Sequence, residues 1–130
     1  MEGDDRLLRI PEGAELASSR LLWVETRRVL DRCLRTGALD PSQAVRTRQA
    51  FEETAQGITQ LRITEAILRR AEESFPLTIR TLDAIHLATA LTWGGESTHE
   101  EFELWTLDLQ FNQCAAALGI RTPWLEQGNL

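Results

Sequence analysis

Residues 80–91 read RTLDAIHLATAL, and the reading of this stretch decides the fold. From Leu82 onward Ala84, Ile85, Leu87, Ala88, Ala90 and Leu91 put apolar groups around the whole circumference of a helix. A helix apolar on all sides belongs in an interior. Asp83 sits in its first turn, and a carboxylate taken into an interior needs a hydrogen-bonding partner or a metal. A plain structural use is also open: acids are favoured at helix N-termini by the macrodipole, here after a Thr81 cap. His86 lies three residues on and shares the face of Asp83, either as a ligand or, by the simpler reading, as a packed polar residue.

Working outward, the flanking segments alternate between helix and strand patterns. ITQLRI (58–63) reads as a short strand, and Thr64 caps the helix EAILRRAEESF. After RTLDAIHLATALTW comes a GGESTHEE loop carrying His99, then FELWTLD (102–108), expected as a strand ending in Asp108. LQFNQCAAALG reads as a helix and IRTPWL as a final short strand. Upstream, the segment from Met1 to Leu16 is punctuated by Gly, Asp and Pro and reads as loop. Ser18 or Ser19 then caps a helix that carries an apolar stripe of Leu22, Val29, Leu30 and Cys33 and ends at Gly37. Asp40 and Pro41 start a second, peripheral helix. Strands alternating with helices imply an α/β/α three-layer fold with a mostly parallel sheet. At 130 residues the chain is expected to form one domain, 1–130.

Composition narrows the function classes. A net charge of -6 argues against a general phosphate-backbone binder while leaving room for a small acidic site that needs cations. Cys33 and Cys114 stand in helical apolar patterns outside any metal spacing and read as buried thiols. With no signal peptide pattern and no apolar run of membrane-spanning length, a cytoplasmic location is expected.

In parallel sheets, ligands bind beyond the carboxyl ends of the strands. Asp108 stands at such a place, with Thr106 two residues earlier on the same side of the strand. A helix N-cap is the ordinary alternative for Asp108. Glu25 flanks the apolar stripe of its helix, and a surface pair with Arg28 is its ordinary alternative. The tryptophans read as core.

SSRLLWVETRRVL, RTLDAIHLATAL and LWTLDLQFNQCAAALGI resemble the second, third and fourth motif blocks of PIN domains, and within them the VapC-like ribonuclease toxins of toxin–antitoxin pairs. The resemblance implies a metal-dependent endoribonuclease, with Glu25, Asp83 and Asp108 as the acids of the three blocks and Mg²⁺ or Mn²⁺ as the cation. Thr106 and His86 are possible supporting residues. RNA as substrate, a cognate antitoxin and a homodimer are implied as partners. Clustered carboxylates suit hard cations, and a bound divalent ion can activate water against a phosphodiester. Exposure of Leu21, Leu22 and Trp23 is expected to serve the dimer.

The family opens with a central apolar strand ending in an aspartate. The chain begins at MEGDDRLL, which resembles the segment after that block, and neither Asp4 nor Asp5 follows an apolar strand. The expectation is therefore an N-terminally incomplete domain, with the natural product starting about a dozen residues earlier. Such a chain should be unstable alone or borrow a strand, and be weakly active at best. The alternative function is a catalytically inactive PIN remnant acting as a protein-interaction module.

Overall fold

The computed structural model describes residues 12–95 and 102–128. Asp4, Asp5, most of the expected opening loop and nearly all of the GGESTHEE loop with His99 lie outside them. The chain divides into two compact units, one formed by Glu15–Arg62 and the other taking in the described residues from Ile63 onward.

In the first unit a strand β1 (Leu16–Ser19) is followed by helices α1 (Leu21–Thr36) and α2 (Pro41–Ala55) and a strand β2 (Ile58–Leu61). β1 and β2 pair in parallel, with Leu16 opposite Ile58 and Ser19 opposite Leu61. The ladder extends one step further, since the Arg20 N–H donates to the Leu61 carbonyl at 2.9 Å. β1 corrects the reading of the serine pair as a helix cap. Ser18 and Ser19 are strand residues, and the N-cap position of α1 falls on Arg20, which makes no side-chain cap bond. Ser19 Oγ does accept from the Leu21 N–H at 3.1 Å, so the hydroxyl meets the helix start from inside the strand. Serine has low strand propensity, and parallel backbone pairing overrides it.

The helix ends follow local rules. Gly37 terminates α1 at φ 78°, a left-handed conformation that costs glycine little. Asp40 accepts from the Gln43 N–H at 2.8 Å while the Gln43 side chain accepts from the Asp40 N–H at 2.9 Å, a reciprocal capping box with Pro41 behind it. Trp23 meets Phe51 edge-on, ring centroids 6.3 Å apart, which joins α1 to α2. Leu21, Leu22 and Trp23 are half-buried, contrary to the expected exposure. The exposed apolar residues of this unit are Val24, Val29, Leu34 and Val45. Val29 therefore faces out of the expected stripe, and Cys33 is half-buried rather than buried.

The second unit holds α3 (Glu65–Glu72), α4 (Thr81–Gly94), α5 (Leu109–Ala117) and a short α6 (Pro123–Glu126). Thr64 caps α3 as expected, accepting from the Ile67 N–H at 3.2 Å. Leu87, Phe102, Phe111, Cys114, Ala115 and Ile120 form one buried cluster. Only Thr81, Leu82 and Thr92 of α4 before its last residue are exposed, so the helix is enclosed almost all round. The two expected strands FELWTLD and IRTPWL shrink to one parallel bridge between Glu103 and Arg121, closed by the Leu104 N–H on the Arg121 carbonyl at 2.9 Å. Pro123 has no N–H for a ladder and takes the first turn of α6 instead. Trp124 is buried there, its ring edge-on to Trp105 at 5.1 Å. The result is a helix-rich α/β chain with a small parallel sheet.

Candidate active site

Asp83 and Asp108 stand at the N-terminal ends of two helices of one unit. Asp83 is the one acid in the first turn of α4 and is half-buried. The expected Thr81 cap is not formed: Thr81 is already helical, and the N-cap position falls on Arg80, whose side chain makes no cap bond. The exposed backbone amides of this turn thus meet no capping hydroxyl, and Asp83 carries the negative charge that the dipole favours.

Asp108 is the N-cap of α5, with extended backbone at φ -80° and ψ 120°. Its Oδ1 accepts from the Phe111 N–H at 2.7 Å. The carboxylate is exposed, and among the described residues Oδ2 takes no hydrogen bond. The cap role and a ligand role are therefore compatible, one oxygen for each.

Around Asp108 the backbone is held from two directions. Thr106 Oγ1 accepts from the Asp108 N–H at 3.3 Å. Asn112, fully buried, donates through Nδ2 to the Thr106 carbonyl at 2.7 Å and to the Asp108 carbonyl at 2.8 Å. Sequence reasoning missed Asn112. The sequence carries no clear signal for it, since Gln110 and Gln113 are amides on the same helix. Its Oδ1 is buried without a hydrogen-bond partner.

One hydrogen bond ties the first turn of α5 to the segment that leads into α4. Gln110 Nε2, in the first turn of α5, donates to the Thr78 carbonyl just before α4. One turn below each acid, Leu87 and Phe111 enter the same buried cluster. The shared cluster anchors both helices in one unit, each with an acid in or next to its first turn. His86 is half-buried on α4.

Glu25 belongs to the other unit, one turn into α1, and is half-buried. Arg28, its expected surface partner, pairs with Asp31 at 3.5 Å. Among the described residues no group of three or more His, Cys, Asp or Glu is close enough to hold a metal ion. Carboxylates are oxygen donors of the kind that suits a hard cation such as Mg²⁺, which keeps several of its waters. Soft thiol ligands are excluded, because Cys114 is buried in the apolar cluster.

The family model described as the PIN domain matches residues 2–116. The chain belongs to the PIN-domain family. The match takes in Glu25, Asp83 and Asp108, so the α/β arrangement seen here is that of a PIN domain, a nuclease-type fold. PIN-domain nucleases generally use divalent metal ions and bind RNA, in keeping with an oxygen-only donor set at the starts of α4 and α5. No curated protein and no solved structure matches the chain. No helix among the described residues is long and apolar enough to cross a membrane.

Proposed function

We propose that this PIN domain is a metal-dependent endoribonuclease that cleaves RNA phosphodiesters, the toxin of a toxin–antitoxin pair, with Glu25, Asp83 and Asp108 as its acids. The observation that supports the reading is that Asp83 in the first turn of α4 and Asp108 at the N-cap of α5 both fall within the PIN-domain match over residues 2–116. Bound Mg²⁺ or Mn²⁺ would supply water activation and neutralise charge developing on phosphorus. The chain's own residues do the positioning. Phe111 N–H fixes one oxygen of Asp108 and so aims the other. Asn112 and Thr106 lock the backbone on either side of that acid. Asp83 is set on a helix whose neighbours are packed, which keeps its reach narrow. Glu25 is the third acid by resemblance, and an antitoxin and a second copy of the chain are the protein partners.

The test is incubation of the full chain with RNA in Mg²⁺, in Mn²⁺ and in excess chelator. Cleavage with either ion, lost in chelator and lost in Asp83→Asn, is the expected result. Full cleavage in chelator, or in Asp83→Asn, would return Asp83 to helix capping. The second reading, a non-catalytic interaction module, draws on the lack, among the described residues, of any group of three or more His, Cys, Asp or Glu that could hold a metal ion. It predicts no cleavage in any ion.

A further inference from the structure

Every one of the 14 cationic side chains is arginine, and their distribution is uneven. The unit Glu15–Arg62 carries eight arginines against six acids, net +2, while the rest of the chain carries six against fourteen, net −8. The basic excess is concentrated on α1. Arg28, Arg32 and Arg35 stand at i, i+4 and i+7, so with Glu25 they fall within an arc of about 80° on one face of the helix. The three arginines line one open depression of about 590 Å³. Arg28 and Arg35 are 74% and 77% exposed.

These charges are only partly neutralised. Asp31 is shared, 3.5 Å from Arg28 and 3.1 Å from Arg35, and Arg32 has no ion pair among the described residues. Within the depression, three guanidiniums against one carboxylate leave a net double positive charge on an acidic protein. Guanidinium forks match phosphate oxygens in a bidentate way that an ammonium cannot. An extended row of them along one helix face suits a ligand with phosphates at regular intervals. The row begins one turn after Glu25.

We propose that Arg28, Arg32 and Arg35 form a phosphate track for single-stranded RNA, leading along α1 from Glu25. The proposal rests on the ribonuclease reading for its substrate and adds the residues that hold it. Asp31 acts against the track by competing for two of the three arginines. A positive excess confined to this face explains how a chain of net charge -6 can grip a polyanion locally.

The test is fluorescence anisotropy of a labelled single-stranded RNA oligonucleotide on the full chain over a series of KCl concentrations. Asp83→Asn is present throughout, so that cleavage does not consume the probe. The triple variant Arg28→Gln, Arg32→Gln, Arg35→Gln should bind roughly tenfold or more weakly. It should also flatten the plot of log affinity against log salt by about 2, at ~0.7 for each phosphate the protein no longer neutralises. Asp31→Asn should bind more tightly, and this single neutral substitution covers the case in which the triple variant does not fold. Unchanged affinity and slope in both variants overturns the track. Poly-L-glutamate competing as well as RNA, and losing as much in the triple variant, also overturns it, because the face would then be a docking site for an acidic protein segment. Metal-dependent cleavage by the wild type with no effect of the variants sinks the track alone. RNA binding through the arginines with no cleavage in any ion sinks the ribonuclease reading alone.

Discussion

Asp108 does two things with two oxygens, and substitutions can take them apart. Asp108→Asn keeps a capping oxygen for the Phe111 N–H and removes the charge. We expect it to lose metal-dependent cleavage while urea midpoints stay near wild type. Asp108→Ala removes both and should additionally cost about 1 kcal/mol of stability. Equal destabilisation by the two substitutions would show that the charge, not the cap, stabilises α5. Asn112 is a sharper case. Its buried Nδ2 donates to the Thr106 and Asp108 carbonyls, and truncation to alanine removes both bonds, leaving the Asp108 carbonyl only the Asn112 N–H. A loss of about 1 to 3 kcal/mol is expected in chemical denaturation. Wild-type stability would mean that water replaces the amide. Both acids are visible in the sequence because carboxylates are conspicuous in apolar surroundings. Asn112 is not, since its importance lies in two backbone oxygens that only the turn at 106–108 brings within reach.

Helix ends are the most legible elements, because their rules act over a few residues. Gly37, the Asp40 cap with Pro41, and Thr64 all stand where the sequence places them. Gly37→Ala should cost about 1 kcal/mol, since a Cβ at φ 78° is strained even though nothing lies within 4 Å of it. A thermal melt at or above wild type would indicate that α1 can end differently. Strands are less legible. The serine pair reads as a helix cap yet closes β1, and the two strands expected near the C-terminus reduce to a single bridge with a helical turn at Pro123. A strand exists through its partner, so four residues such as LASS carry no pattern of their own until ITQL pairs with them.

The three proposed acids come from two units, and their convergence on one cation is a prediction about the assembled chain. Mn²⁺ binding by calorimetry should weaken in each of Glu25→Gln, Asp83→Asn and Asp108→Asn. Wild-type affinity in Glu25→Gln would remove Glu25 from the site and leave a two-acid centre. Self-association is the second prediction for the whole chain. Val24, Val29, Leu34 and Val45 leave apolar surface on α1 and α2, which supports the proposed homodimer. Light scattering at micromolar concentration should give twice the chain mass, and a monomer would count against it.

Short-range physics is readable directly from the order of residues: apolar periodicity around Leu87, caps at Asp40, Thr64 and Asp108, and carboxylates where an apolar run makes them costly. The three motif blocks are likewise contiguous in the chain, so they carry the family resemblance without any fold. Pairing and adjacency require the tertiary structure. That Ser19 closes a strand and that Gln110 ties α5 to Thr78 depends on how the chain is folded. Local periodicity selects an element from neighbouring residues alone, whereas a shared core or a strand pair is a free-energy minimum of contacts between distant ones.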